Sequence, residues 1–209
     1  MVEAASLPLP YPEAVVIEED SLSEQSLALA TQLPERPLVL GGCCCAHIGA
    51  VEGLAARHKR LALVWFDAHG DLNTPESSPT GNAWGMPLRM LIDSGAVDDD
   101  AIALVGVRQL DPAEASFIRR SAVHVGADRI EDALEGAEGV YVAFDCDSLD
   151  AREVTPFMPE PGGLSVDDAG RLLETVRART EVLGAGFSGL APEARNVAPL
   201  TRLCAALGL

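Results

Sequence analysis

The sequence predicts an α/β fold in which a mostly parallel, doubly wound β-sheet carries helices on both faces. Short apolar runs alternate along the chain with segments of helical periodicity, which is the pattern of consecutive βα units. The chain has 209 residues, a length that suits one domain, and 48% of them are hydrophobic, which is ample for a core. We find no internal repeat and no low-complexity linker, so residues 1–209 are interpreted as a single domain.

The predicted strands are the apolar runs, and the predicted helices lie between them. Strands are expected at residues 37–40, 61–66, 101–107, 122–125, 139–144 and 182–187, with a weaker one at 14–17. Helices are expected at residues 22–32, 47–58, 84–94, 112–120, 128–134, 166–180 and 197–207. Two helix starts are well marked. Asp111 precedes a proline and has Glu114 three residues on, and Ser165 is followed by two first-turn acids.

Composition excludes several classes of partner. The net charge of −17 argues against nucleic acid or an anionic membrane surface as a partner. No apolar run reaches transmembrane length, and the opening MVEAASLPLPYPEA is acidic and proline-rich, unlike a signal peptide, so we expect a cytoplasmic protein. Three of the five cysteines are consecutive, which favours reduced thiols over a disulfide framework. Nothing in the sequence indicates the oligomeric state.

Potential metal ligands follow the predicted strand 61–66, in the stretch VWFDAHGDLNTP. Asp67, His69 and Asp71 occupy every second position there. Because alternate residues of a strand point to the same side, Asp67 and His69 can converge on one point. Asp71 can join them from the turn that follows.

Two further strands end in similar clusters. Asp145 and Asp147 follow strand 139–144 in DCDSLD, and strand 37–40 ends in GGCCCAH. Ligands of parallel sheets bind beyond the carboxyl ends of the strands, so these clusters predict a metal site at that edge. The alternative is a set of helix-capping and solvated loop aspartates. It explains Asp111 well but does not explain Asp145 and Asp147.

The predicted ligand set is mainly oxygen. Four aspartates and one histidine favour Mn²⁺ or a similar divalent ion, whereas a cysteine ligand would favour Zn²⁺ or Fe²⁺. Four carboxylates around one ion would leave excess negative charge. Two divalent ions offset that charge, and paired metal ions are known to generate hydroxide from bound water at neutral pH.

These residues resemble the ureohydrolases, the superfamily of arginase, agmatinase and formimidoylglutamase. The resemblance runs from residue 37 to the C-terminus and rests on the segments GGCCC, DAHGDLNTP, TGNAWGMPL, VGVRQLDPAE, FDCDSLD and MPEPGGLS. It implies a three-layer α/β/α sandwich and a pair of Mn²⁺ ions that hydrolyse an amidine C–N bond. The chain is shorter than typical members, and residues 1–36 are divergent, with the first strand of the family absent or replaced.

The resemblance also implies roles for individual residues. One metal would be held by Cys44, Asp67, Asp71 and Asp145, and the other by Asp67, His69, Asp145 and Asp147. Asp71 would also act in catalysis by orienting the nucleophile and relaying its proton. An α-amino-acid substrate carrying an amidino or guanidino group would be bound by Asn73, Thr80, Asn82 and Asp111. Asp111 has a second interpretation as a helix N-cap, and both roles can hold.

Departures from the family pattern bear on substrate and turnover. Cys44 stands where the family has a metal-binding histidine, and Cys43 and Cys45 are expected to point away or pack in the core. His47 is expected to pack in a helix, with metal ligation as the alternative. Trp84 replaces the proton-shuttle histidine of arginases. The acidic residue that binds the guanidinium in arginases corresponds to a position at or near Ser188, and Glu193 is an alternative acid for that role.

The leading interpretation is a binuclear metal-dependent amidinohydrolase. Its substrate can be weakly basic, such as N-hydroxyarginine, because two arginase features are missing. The alternative is a family member that binds metal or a partner without turnover, which Trp84 and Ser188 favour and the intact ligand set opposes. A single-zinc deacetylase-like enzyme of related fold fits the motifs less well.

Overall fold

One parallel sheet organises the molecule. The computed structural model describes residues 4–209, in which six strands lie in the order β1-β6-β5-β2-β3-β4. All neighbouring strands are parallel. The strands are β1 (Leu38–Leu40), β2 (Leu61–Phe66), β3 (Ile102–Val105), β4 (His124–Val125), β5 (Gly139–Asp145) and β6 (Val182–Ser188). The predicted doubly wound α/β class is confirmed.

Helices cover both faces of the sheet. They are α1 (Leu22–Gln32), α2 (Ala46–Ala55), α3 (Pro87–Asp93), α4 (Pro112–Ile118), α5 (Ile130–Ala133), α6 (Val166–Arg179) and α7 (Val197–Leu207). Apolar side chains of α1 to α4 pack in one buried cluster on one face. Those of α5 to α7 pack in a second cluster on the other face. Two cores separated by one sheet make a three-layer sandwich. No helix among residues 4–209 combines the length and apolarity that a membrane crossing requires.

The sequence located most elements, but two predictions need correction. The helix expected at 84–94 is interrupted at Met86, whose φ of −130° is not helical, so a short 3₁₀ turn precedes α3. The weak strand at 14–17 is wrong, since this segment has no regular structure. Val15 and Val16 are exposed. Strand propensity reflects packing and pairing with a neighbouring strand, and no strand of the sheet lies next to this segment in the strand order.

The strand order brings the candidate site together. The ends of β1, β6, β5 and β2 are consecutive along the carboxyl edge of the sheet. Phe66 of β2 pairs in register with Phe144 of β5, and Asp145 pairs with Ser188 of β6. The residues that follow these strands therefore emerge beside one another, as the sequence predicts.

Candidate metal centre

Asp67 lies at the centre of the site. It follows the fully buried β2 and is 1% exposed. Trp65 donates its indole N–H to Asp67 Oδ2 over 3.1 Å, and the backbone N–H of His69 donates to Oδ1 over 2.7 Å. Both carboxylate oxygens are thus oriented before any ligand binds.

Two groups of potential ligand atoms share Asp67. The Cys44 group comprises Cys44, Asp67 and Asp71, and the His69 group comprises Asp67, His69 and Asp147. Within each group the ligand atoms lie within 4.8 Å of one another. His69 Nδ1 is 3.0 Å from Asp147 Oδ2 and 3.4 Å from Asp67 Oδ1. A carboxylate shared between two such groups is an arrangement that suits a pair of neighbouring ions.

Asp145 joins the two groups from β5. The Cys44 thiol donates to Asp145 Oδ2 over 2.9 Å. The other oxygen, Oδ1, accepts the backbone N–H of Asp147 over 2.9 Å and so fixes the turn on which Asp147 lies. Asp147 in turn accepts the backbone N–H of Ala68 over 3.0 Å. The loops after β2 and β5 are therefore held together by their own ligand side chains.

Asp71 is strained and has an unsatisfied oxygen. Its φ of 52° lies in the left-handed region, and it is the one non-glycine residue with positive φ among residues 4–209. It is 4% exposed, and its Oδ2 has no hydrogen-bond partner in the described chain. An unpartnered buried carboxylate oxygen costs free energy, and strain of this kind concentrates at functional sites. A bound cation beside Asp71 would satisfy that oxygen.

The electrostatics of the cluster also favour a cation. Burial, and then Asp67 and Asp145, raise the pKa of Asp71 well above its usual value. Burial, followed by Asp147, raises the pKa of Asp145 to about 6. Burial and the charge of Asp145 raise the pKa of the Cys44 thiol. Negative charges crowded in a buried site repel one another, and divalent ions relieve that repulsion. The donors present therefore fit two divalent metals.

His47 and Ser188 lie behind this cluster. His47 is fully buried in α2, with Nδ1 3.1 Å from the Tyr141 hydroxyl and Nε2 3.3 Å from Ser188 Oγ. Burial lowers its pKa to about 3, so the ring is neutral. Ser188 donates its hydroxyl to Asp145 Oδ2 over 3.2 Å. His47 therefore packs in its helix, as expected, and supports Asp145 through Ser188.

A small cavity of about 60 Å³ opens onto the ligands. Its wall is formed by Gly42, Cys43, Cys44, Asp67, His69, Asp71, Trp84, Asp145, Asp147, Phe157, Met158 and Gly189. One expectation is corrected here. Cys43 lines the cavity, although Cys45 is buried as expected. Ser188 is turned towards Cys44 and His47, and its neighbour Gly189, with a φ of 69°, lies on the cavity wall.

The predicted substrate residues divide into two places. Asn73 donates its side-chain amide to Asp111 Oδ2 over 2.8 Å. Asp111 also begins α4 in a capping box, in which its backbone N–H donates to Glu114 Oε2 over 2.9 Å. Thr80 lies on an exposed loop and accepts the backbone N–H of Asn82 over 3.2 Å. None of these four residues forms the wall of the cavity. Glu193 is exposed.

Sequence reasoning missed two residues near the centre. Glu160, in the segment MPEPGG, places Oε1 3.8 Å from His69 Nε2. Arg108, in VGVRQ, donates to the Asp147 backbone carbonyl. Both residues lie inside motifs that signal the site, but their contacts depend on how distant loops meet.

Comparison with known proteins gives a consistent result. The model of the arginase family matches residues 5–207. The arginase of Bacillus caldovelox is 31% identical over 200 residues, covering 81% of this chain and 67% of that protein. The arginase of Staphylococcus aureus (strain COL) is 32% identical over 191 residues, covering 78% of this chain and 62% of that protein. The crystal structure of arginase from Bacillus cereus superposes with a TM-score of 0.83 at 27% identity, covering 89% of this chain and 77% of that one. The chain thus spans about two thirds of the length of these curated relatives.

Proposed function

The chain belongs to the arginase family, and on that premise we propose that it is a binuclear metal-dependent hydrolase of an amidino or guanidino C–N bond. The substrate in this proposal is an α-amino-acid derivative, and the two metals are divalent ions, with Mn²⁺ the first choice. The shared position of Asp67 in two ligand groups carries the proposal.

The contacts described above support the ligand assignment that the family resemblance implies. Cys44, Asp67, Asp71 and Asp145 would hold one ion, and Asp67, His69, Asp145 and Asp147 the other. When bound, a pair of divalent ions lowers the pKa of water and supplies a nucleophile at neutral pH. The thiol of Cys44 shifts the metal preference towards softer ions relative to an all-oxygen and nitrogen set.

The protein residues would orient the reactants. With one carboxylate oxygen on a metal, Asp71 keeps the other at the cavity wall, where it can hold a water molecule and accept its proton. Asn73 and Asp111 form a polar pair for the amino-acid end of the substrate, joined by Thr80 and Asn82 from the neighbouring loop. Binding both ends of the substrate fixes its central carbon relative to the nucleophile.

Metal content and product release test this proposal together. Elemental analysis of the purified protein should give two divalent ions per chain, and a panel of guanidino acids should include one that releases urea or a substituted urea. Asp145→Ala should lose metal and activity, because it removes a carboxylate that contacts Cys44 of one group and the backbone N–H of Asp147 in the other. Asp98→Ala, at an exposed turn, is the matched control and should keep both. An Asp145→Ala variant with full metal content and full activity would contradict the proposal.

A family member without turnover is the second candidate. Trp84 favours it, because an indole at the cavity wall cannot transfer a proton. Two bound ions with no product from any amidino or guanidino acid would support this second candidate over the first.

A further inference from the structure

Arg108 makes an unusual set of hydrogen bonds beside the metal centre. It follows β3, and its guanidinium donates to four backbone carbonyls. The acceptors are Gly106 at 3.0 Å, Asp147 at 2.5 Å, Glu160 at 3.0 Å and Pro161 at 2.7 Å. A planar guanidinium presents its N–H groups in a fixed fork, so four simultaneous bonds define the relative positions of the segments they join.

The backbone of Arg108 adds a second connection to the same centre. Its N–H donates to the carbonyl of Ala68 over 2.9 Å, and Ala68 lies between Asp67 and His69. The N–H of Ala68 donates to Asp147 Oδ1 over 3.0 Å. Arg108 thus contacts both segments that carry the His69 group. None of its hydrogen bonds reaches Cys44 or Asp71.

The same side chain holds a loop that lines the cavity. We name residues 156–164 the crossing loop. Its ends are fixed by hydrogen bonds from Phe157 N–H to the Gly189 carbonyl at 2.6 Å and from Leu164 N–H to the Ser148 carbonyl at 2.8 Å. Between them, Arg108 binds the carbonyls of Glu160 and Pro161. The loop carries Phe157 and Met158 on the cavity wall and Glu160 beside His69.

We propose that Arg108 is a positioning residue that sets the geometry of the His69 group and holds the crossing loop in place at the cavity wall. The proposal rests on the proposed function only in assuming that the two groups bind metal. It predicts an asymmetry, because Arg108 supports the His69 group and leaves the Cys44 group to its own contacts. A general contribution to stability would affect the two groups alike.

Cobalt titration of Arg108→Met tests the asymmetry. Co²⁺ bound by the Cys44 group should retain its thiolate charge-transfer band and its affinity. The equivalent bound by the His69 group should weaken by roughly tenfold or more, as is typical when a residue supporting metal ligands is lost. Arg108→Lys keeps the charge but cannot span four carbonyls, so it should show an intermediate weakening of the same equivalent.

Arg36→Met is the matched control. Arg36 also donates to backbone carbonyls, those of Val182 and Gly208, at the other end of the sheet. Its loss should lower thermal stability without changing either cobalt equivalent. Equal weakening of both equivalents in Arg108→Met, or of neither, would overturn the positioning role. Should Arg108→Met fail to fold, Arg108→Lys decides by the same criterion. If the unaltered protein binds fewer than two Co²⁺ ions, that result contradicts the proposed function itself, and the positioning role of Arg108 is rejected with it.

Discussion

At the scale of single residues, Cys44 is the sulfur donor in a cluster of potential ligands that is otherwise made of carboxylates and one histidine. Its thiol lies 2.9 Å from Asp145 Oδ2 and 3.5 Å from Asp67 Oδ2. It is 4% exposed, and burial and the nearby carboxylates hold it protonated when no cation is bound. A divalent ion displaces that proton, since the thiolate is the form that ligates metal. Its neighbours Cys43 and Cys45 do not contact the carboxylates by hydrogen bonds.

We therefore predict that Cys44 alone provides the sulfur ligand. Cobalt-loaded protein should show a thiolate-to-cobalt charge-transfer band that disappears in Cys44→Ser and persists in the matched variant Cys45→Ser. Cys44→His should retain metal and shift its preference towards Mn²⁺, because imidazole is a harder ligand than thiolate. Survival of the band in Cys44→Ser would assign the sulfur to another cysteine, with Cys43 on the cavity wall the next to test.

The residue scale also marks the limit of sequence reasoning about the site. Asp67, His69, Asp145 and Asp147 lie at one edge of the sheet as predicted, because each pair is at the end of a predicted strand. Strand alternation is not what brings each pair together, since His69 lies in a bend after β2 and Asp147 in a 3₁₀ turn after β5. The position of the guanidinium-binding acid was predicted only as at or near Ser188, and the residue on the cavity wall there is Gly189. In a strand, one step moves a side chain to the opposite face, so motif matching at the end of β6 could not decide which residue faces the cavity.

At the scale of elements, local signals and tertiary contacts contributed differently. The helix at 197–207 and the strand at 61–66 were located with their observed bounds, because their apolar patterns are long or uninterrupted. Asp111 and Ser165 began helices as predicted, since capping is a local interaction. The break at Met86 has a local cause, because Pro87 follows it and disfavours helical backbone at the residue before it. The Asp71 carbonyl then accepts the N–H of Arg89, in the first turn of α3, over 3.0 Å. No local pattern encodes that contact.

The packing of α1 against α2 leads to a prediction about two glycines in helices. A Cβ at Gly49 of α2 would lie 2.3 Å from the Ser26 carbonyl oxygen of α1, so Gly49→Ala must separate the two helices. Overpacking of this kind costs about 1–3 kcal/mol of folding free energy. Gly170, inside α6, has no atom within 4 Å of the corresponding position. Gly170→Ala should therefore stabilise the protein by about 0.5–1 kcal/mol through helix propensity.

Urea denaturation of the two variants measures both effects. The two substitutions are chemically identical, and each lies within a helix, so a difference in sign isolates the contact between α1 and α2. A neutral or stabilising Gly49→Ala would mean that the helices can move apart at little cost.

At the scale of the whole molecule, metal binding and folding should be linked. The ligands come from the loops after β1, β2 and β5, and these are adjacent only in the folded chain. Ions that bind the native state alone stabilise it by about 2.7 kcal/mol at a free concentration one hundred times the Kd. We predict that Mn²⁺ or Co²⁺ raises Tm in calorimetry and that EDTA lowers it, whereas Asp145→Ala shows a much smaller response. An identical Tm in metal and in EDTA would argue against a centre that bridges these loops.

The final prediction concerns which substrate the molecule as a whole can accept. L-Arginine carries a full positive charge, and burying that charge without a partner is costly. Every carboxylate on the cavity wall formed by the described residues belongs to a proposed metal ligand: Asp67, Asp71, Asp145 and Asp147. Gly189 cannot easily be replaced by an acid, because a Cβ there would lie 2.3 Å from Asp145 Oδ1. The remaining large side chains on the wall are Trp84, Phe157 and Met158, which are apolar.

A weakly basic group loses less in such a cavity than a guanidinium does. We therefore expect kcat/KM for Nω-hydroxy-L-arginine to exceed that for L-arginine by about tenfold or more, which corresponds to about 1.4 kcal/mol of transition-state binding. Both substrates release ornithine when the amidino C–N bond is hydrolysed, so one assay for that product compares them directly. Agmatine, which lacks the α-carboxylate, tests the amino-acid end: if Asn73 and Asp111 bind that end, agmatine should be poorer than L-arginine. Efficient hydrolysis of L-arginine would mean that an acid outside the cavity wall, with Glu193 the first to replace by glutamine, reaches the guanidinium during turnover.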